Sequence, residues 1–482
     1  MTVTLEPAVQ VQGDRVSLLR VLGPAHVWAL GVGIVLVGEF TGWNFAADKG
    51  GALAALIVCW IVGLLYTSVA MIDSEVTSTV AAAGGQYAQA KHIVGPLMAF
   101  NVALFLVFAY TMLEVSDAIL LGDTIVAKAG VEGLNHNSFI AATIVVLAWL
   151  NYRGVLMTLN VNFVITAIAY VSIVILFFSV SPWTQGAVLK LNELVTPGNA
   201  LPYGWIGVIA AFQFGIWYYL GIEGTTQAAE EVRSPARSLP YGTMAGMITL
   251  LIAAAMTWYV CASLMPWEYL GITYYPLWDA GKLTGSPLLE NLLFIATLLA
   301  ALASANGCIN DAARAWFSLG RDRYLPTWFS AVHPKYRTPY RSILFLLPIA
   351  LAFAFIADLN QAITFSILSG VLQYTFMSIN IIMFRKKWPL GSIRRGYTHP
   401  FHPLPAIVLF CLCVVTFFAI FLGFGSQLIA MVAFYFLISL WFHFYRYRFV
   451  RRGAQFTMPW PKPQDSVLKV LQKVLERERR LL

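Results

Sequence analysis

Runs of about twenty apolar residues recur along this chain, separated by short polar stretches. That spacing predicts helices long enough to cross a bilayer. Twelve runs can be drawn, centred near Val35, Ile61, Leu106, Val145, Ile173, Gly215, Ala253, Leu299, Leu347, Leu372, Val414 and Phe434. The fourth, from Phe139 to Leu150, is the shortest. The polar stretches between them are too short to build a soluble domain. The expectation is an all-α integral membrane protein of twelve spans.

Composition supports this reading. A chain of 482 residues would make two or three soluble domains, but only 11% of its residues are charged and 59% are hydrophobic. Soluble proteins carry about 25% charged residues, and a surface this poor in charge cannot cover so much apolar area. Mean hydropathy is +0.72. Disordered, collagen-like and disulfide-scaffold classes are excluded on the same numbers.

The cations have an address. With the N-terminus in the cytoplasm, the outer loops hold Lys49, Lys128, Lys190 and Lys282, and the other 27 of 31 Lys and Arg fall inside. The positive-inside rule then predicts both termini in the cytoplasm and a plasma (inner) membrane location. The net charge of +8 is a topology signal. It is no nucleic-acid footprint, which needs basic residues on one soluble face. The first 20 residues carry no apolar signal-peptide core.

The expected organisation is a cytoplasmic segment 1–24, a ten-helix core 25–384, helices eleven and twelve within 403–447, and a basic tail 448–482. Residues 465–482 set Val467, Leu471, Val474, Leu475 and Leu482 on one face, which fits either a surface-lying amphipathic helix or a solvated tail. The five cysteines sit in apolar runs as lipid-facing or core thiols. Cys411 and Cys413, two apart, point to different helix faces and do not make a metal pair. His399 and His402 lie in a proline-rich inner loop and read as solvated. No P-loop, catalytic triad, haem or zinc signature appears, so no enzyme and no metal site is expected.

Two runs are interrupted alike. The first reads Gly31-Val-Gly33-Ile-Val-Leu-Val37-Gly38-Glu39-Phe-Thr-Gly42-Trp-Asn44, and the sixth reads Gly215-Ile-Trp217-Tyr218-Tyr-Leu-Gly221-Ile222-Glu223-Gly224-Thr-Thr226. In each, glycine precedes a carboxylate at membrane depth. They stand five positions apart in the order of spans, so they cross in opposite directions, as the halves of an inverted repeat do (about 25–181 and 204–384). Glycine lets the chain leave helical geometry, and unwound backbone in a membrane must line a cavity or be buried in protein. Tight helix packing is the other use of such glycines. An acidic side chain at helix centre costs about 3 kcal/mol on the insertion scale, so it faces protein and usually marks function. Glu39 and Glu223 lie deepest. Glu114 and Asp117, one turn apart on the third span, read as nearer its outer end. A hydrogen-bonded structural acid is the alternative for each.

With these residues in hand, the chain resembles the amino acid–polyamine–organocation superfamily of permeases. Gly84-Gly85-Gln86-Tyr87 resembles its GGxY signature. Ala229-Glu230-Glu231-Val232-Arg233-Ser234-Pro235 resembles its motif after the sixth span. Ser304-Ala305-Asn306-Gly307, Gly320-Arg321-Asp322-Arg323-Tyr324-Leu325-Pro326 and His333-Pro334-Lys335-Tyr336-Arg337-Thr338-Pro339 follow in the family's order. The resemblance implies a LeuT-type 5+5 fold with broken helices one and six, and transport by alternating access. Amino acid permeases keep G-x-G-x-x-x-G-[ST]-G in the first span, a bare backbone nest for a carboxylate. Here Val37-Gly38-Glu39 takes that place and continues Phe40-Thr41-Gly42-Trp43-Asn44, which resembles ethanolamine permeases. An anion there repels a carboxylate and attracts an ammonium.

The expectation is therefore a secondary transporter for a small amine-bearing solute, working in the lipid bilayer without a resident cofactor. The substrate-binding residues are Val37, Gly38, Glu39, Trp217, Tyr218, Gly221, Ile222 and Glu223. Gly33, Gly38, Gly221 and Gly224 are the helix breakers, and Val37 and Ile222 present backbone polar groups. Glu39 pairs with the amine or carries a proton. Trp217 and Tyr218 wall the pocket, by cation–π contact or by packing alone. Glu39, Glu223 and Ser304 are candidates for coupling to a proton or sodium, and Glu230 and Glu231 with Arg233 and Arg237 for an inner ion-pair gate. Two features depart from the family. The third span lacks the Ala-Pro-Pro run of ethanolamine permeases, and the fifth, Ile165 to Tyr170, lacks the lysine that replaces sodium in some proton-coupled relatives. A zwitterionic amino acid permease or exchanger and a transporter-like sensor without flux stand as alternatives.

Overall fold

The computed structural model describes residues 20–130, 135–180, 200–393 and 395–450. The expected tail helix, Lys190 and nearly all of segment 1–24 lie outside the described residues. Helices α1 (Pro24–Val35), α2 (Val37–Phe40) and α3 (Phe45–Gly50) carry the first interrupted run. Then come α4 (Ala52–Thr77), α5 (Gln86–Ile93), α6 (Pro96–Ala129), α7 (His136–Arg153) and α8 (Val155–Val180). The second half holds α9 (Gly204–Gly215), α10 (Pro235–Leu264), α11 (Trp267–Leu270), α12 (Pro276–Leu283) and α13 (Pro287–Arg321). Helices α14 (Tyr340–Ile356), α15 (Leu359–Lys387) and α16 (Leu404–Trp441) complete the chain. Among the described residues no strand forms, and one isolated parallel bridge joins Leu22 to Val232.

Eight helices among the described residues are long and apolar enough to cross a membrane. The runs α1–α2 and α14 are apolar but shorter, and the expected eleventh and twelfth spans form one helix kinked at Phe424, whose backbone is non-helical. Length sorts the helices: at 1.5 Å per residue, the 34 residues of α6 and 35 of α13 reach about 50 Å, well beyond a hydrocarbon core of about 30 Å. Their charged ends therefore lie outside the apolar layer. The exposed side chains are apolar too, among them Trp60, Val164, Phe178, Ile248, Phe421 and Leu437, as lipid contact requires. An apolar groove of about 610 Å³ between α4, α8 and α10, lined by Trp60, Phe177, Ile252 and Tyr259, belongs to this outer surface.

The polar residues collect on the inward faces. Asn151 on α7 donates to Asn306 on α13 (2.9 Å), and Asn306 donates to Asn162 on α8 (3.3 Å). At the far end of α4, Glu75 is fully buried and accepts a two-pronged bond from Arg385 (2.9 and 2.6 Å), a bond from Arg395 (2.8 Å) and the backbone N–H of His399 (3.1 Å). The loop 395–399 is thereby clamped onto α4 and α15. Gly396 adds a close approach to α10, since a Cβ there would lie 2.1 Å from the Ala236 carbonyl oxygen. His399, expected in solvent, is instead buried at 1% exposure, because it belongs to this clamp. Cys411 is exposed and the other four cysteines are buried, so both expected environments occur.

Burial pushes the imidazoles of His92 on α5 and His399 down to about 4. An unfolded histidine titrates near 6.5, so each group's contribution to stability is complete above that pH and is lost as pH falls toward 4. The melting temperature in detergent should drop between about pH 6.5 and about pH 4. The double variant His92→Gln/His399→Gln should show a flatter pH profile in the same unfolding experiment.

Candidate substrate and coupling site

The first interrupted run breaks in two steps. The helical bond Leu36 N–H to Val32 O (2.8 Å) closes α1, and a tighter i, i+3 bond from Glu39 N–H to Leu36 O (3.1 Å) begins α2. After Phe40 the helix stops, and Gly42 takes φ +93°, a conformation that side chains disfavour. Asn44 holds the turn. Its carbonyl accepts Gly42 N–H (3.0 Å), and its amide donates to Leu270 O and Thr273 O (2.7 Å each). Trp43 Nε1 donates back to Glu39 O (3.1 Å).

The sixth run unwinds further. Helix α9 ends at Gly215, a short 3-10 turn covers Ile216–Tyr218, Gly221 takes φ +111°, and 3-10 turns follow over Ile222–Thr226 and Ala229–Glu231. Of the four glycines expected to break helices, only Gly221 has a left-handed backbone. Gly33 and Gly38 are helical and serve close packing. A Cβ on Gly33 would meet Asn162 and Thr166 at 2.6 Å, and one on Gly38 would lie 2.4 Å from the Trp217 carbonyl oxygen. Gly224 sits in a 3-10 turn for a similar reason, 2.2 Å being left between such a Cβ and Asp311 Oδ2. The expected backbone donors are partly used. Val37 O accepts Thr41 N–H (3.0 Å), Ile222 N–H reaches Tyr219 O (3.4 Å), and Ile222 O accepts the Thr225 hydroxyl (3.2 Å).

These two runs face each other. Gly38 abuts Trp217, Gly42 abuts the Trp217 ring, Gly31 abuts Ile222 and Thr225, and Gly221 abuts Ile34. Trp43 stacks on Tyr218 with centroids 5.0 Å apart. The structure thus brings Val37, Gly38, Glu39, Trp217, Tyr218, Gly221, Ile222 and Glu223 into one buried layer.

The carboxylates in that layer differ. Glu39 is 0% exposed, and neither of its oxygens finds a hydrogen-bond partner among the described residues. Its neighbours are Cys59 on α4, Cys261 on α10 and the phenols Tyr218 and Tyr219. Glu223 is held: Oε1 accepts from the hydroxyls of Tyr374 (2.7 Å) and Tyr110 (3.3 Å). Glu114 and Asp117 lie on the inward face of α6, with Asp117 beside Ser304 and Cys308 of α13. Ser304 is therefore a neighbour of an acid, Asp117. Among the described residues no group of three or more His, Cys, Asp and Glu is arranged to hold a metal ion.

The inner ion pairs use different arginines from those expected. Arg233 and Arg237 are exposed, because their place before and at the start of α10 turns them outward. Glu231 is instead gripped by Arg314 of α13, through Nε (2.9 Å) and Nη2 (2.7 and 2.8 Å), with both residues buried. Glu230 pairs with Arg321 (2.7 Å). Burial alone would raise the Glu230 carboxyl, yet Arg321 beside it holds it below the usual carboxylate range. Lys91 and Tyr87, next to the GGxY glycines, both bond Asp322 (2.6 and 2.7 Å).

Sequence comparison identifies the family. The family model described as "Amino acid permease" matches residues 25–452. The chain belongs to the amino acid permease family. An uncharacterized transporter of Rhizobium meliloti (strain 1021) is 68% identical, covering 93% of this chain and 97% of that protein. A methylthioribose transporter of Bacillus subtilis (strain 168) is 24% identical over 84% of this chain and 89% of its own length. A branched-chain amino acid permease of the same organism is also 24% identical, over 86% and 91%. The protein is thus a multi-pass membrane permease for amino acids or related solutes, and not an enzyme.

Sequence reasoning missed several residues of this permease. Arg314 and Arg321 lie in or just past an apolar run, and a charge in that setting was the available signal. Asp311, Tyr110 and Tyr374 had no motif to expose them.

The Gly38 contact gives a direct test. Gly38→Ala should separate the two broken runs, at about 1–3 kcal/mol for overpacking, and so lower the melting temperature and reduce transport. Gly23→Ala, with open space around its Cβ, should leave both unchanged. Thermal-shift and uptake measurements on the pair check this.

Proposed function

We propose that this permease imports a small amine-bearing solute, ethanolamine-like or an amino acid, by alternating access, coupled to a cation. The observation that carries the reading is Glu39. An acid buried at membrane depth without a partner is costly, and a cation from outside the protein is what would relieve it. Either the solute's ammonium group or a proton can do so. The stacked Trp43 and Tyr218, with Trp217 beside them, offer ring faces to an ammonium group.

Two broken runs crossing in opposite senses and packed face to face support the LeuT-type reading, twelve spans with halves 25–181 and 204–384. The sorting of Lys and Arg supports cytoplasmic termini and an inner-membrane location. One step, rocking the pair of broken helices against the helices around Glu114 and Ser304, would switch access. A proton through Glu39 or Glu223, or sodium near Ser304, would supply the coupling. The relative named for methylthioribose supports a cargo range wider than amino acids in this family, and the one named for branched-chain amino acids keeps a zwitterion as the second reading.

Glu39→Gln should abolish uptake of radiolabelled ethanolamine and amines in proteoliposomes while expression and folding persist. Uptake by that variant at the wild-type rate at every pH tested would remove Glu39 from the role. Strong competition by free amino acids with weak competition by ethanolamine would select the zwitterionic reading instead.

A further inference from the structure

Asp311 lies on α13, one helical turn from the inner ion pairs, and is fully buried. Its Oδ1 accepts from the Asn310 side chain (2.9 Å), while Oδ2 has no hydrogen-bond partner among the described residues. That free oxygen points at the bare backbone of Gly224. The place where a Gly224 Cβ would stand is 2.2 Å from Oδ2 and 3.2 Å from the Tyr110 hydroxyl, which in turn reaches Glu223 Oε1 at 3.3 Å. Arg314, three residues on, is fully committed elsewhere. Its Nε and Nη2 hold Glu231, and its Nη1 donates to the carbonyl of Asn310 (2.8 Å). Asn310 thus ties Asp311 to Arg314 through its two ends.

The titratable groups around Asp311 are Tyr110 from α6, Glu223 and Glu231 from the unwound run, and Cys308 and Arg314 from its own helix. Helix α1 presents Ile34 to the same spot. Arg314 is the one cation in that set. Two carboxylates competing for one guanidinium in a medium of low dielectric interact strongly, and an i, i+3 spacing puts Asp311 within reach of it.

We propose that Asp311 is a proton-binding site whose occupancy governs the inner mouth of the permease. With the proton in place Arg314 stays two-pronged on Glu231, as observed. When the proton leaves to water on the cytoplasmic side, the new carboxylate draws the guanidinium away from Glu231, and the segment Ala229–Glu231 is released from α13. The inference adopts the cation-coupled reading above for its use in transport, but its geometry does not depend on which solute is carried.

The test needs no solute. Hydrogen exchange of the full chain in lipid nanodiscs is followed by mass spectrometry from about pH 5 to about pH 8 and corrected for intrinsic amide rates. Protection of residues 228–233 should fall several-fold as pH rises in the wild type. Asp311→Asn should hold the low-pH protection throughout, and Glu231→Gln should be unprotected at both ends. Glu290→Gln, which breaks the Lys128 pair at the opposite end of α13, should keep the wild-type pH response. A wild-type response retained by Asp311→Asn, or no response in the wild type, overturns the proposal. Should the variant not fold, the wild type alone decides: infrared absorbance of protonated carboxyls must fall over the same pH interval as the protection, and a mismatch overturns it. Ethanolamine uptake without this pH response refutes only the Asp311 role. The response without ethanolamine uptake refutes only the solute reading.

Discussion

The contact between the first and sixth runs is the constraint on which the rest of the permease depends. Gly38 against the Trp217 carbonyl, Gly42 against the Trp217 ring and Gly221 against Ile34 bring two interrupted helices closer than side chains would allow. Interrupted helices leave backbone groups unsatisfied, and in a bilayer those groups must be buried in protein. Each run solves this for the other. Helices α4, α10 and α13 pack around the pair, and the acids of the layer become buried as a result.

That burial sets apart the three kinds of carboxylate. Glu231 and Glu75 are bonded by arginines, Glu223 by phenols, and Glu39 has no hydrogen-bond partner among the described residues. A two-pronged arginine neutralises an acid and fixes its direction. Two phenols stabilise charge without cancelling it. A buried acid with no partner is the costliest of the three. The buried acids therefore grade from ion-paired, through hydrogen-bonded, to unpartnered among the described residues.

Much of this was legible in the chain itself. The apolar runs, the sorted cations and the matched glycine–carboxylate motifs are local patterns, and they pointed to the family and to the layer that holds Glu39 and Glu223. The misreadings have a common physical source. Arg314 meets Glu231 across 83 residues, and Arg385 meets Glu75 across 310. Nothing local marks such partners, whereas Arg233 and Arg237 stand beside Glu231 in sequence and were the natural guess. Gly33 and Gly38 were misassigned as breakers because a glycine that permits contact and one that permits a turn look the same without a backbone. His399 read as solvated because its burial is produced by the clamp on Glu75.

The bridge between Leu22 and Val232 has a mechanical consequence. Val21 and Leu22 donate to Glu231 O (2.9 Å each), and Arg233 N–H returns to Leu22 O (3.0 Å). The lead-in to α1 is thus stitched to the residue that Arg314 grips. Residues 21–22 and the backbone of Glu231 are consequently one mechanical piece: neither can shift without breaking these bonds or carrying the other along.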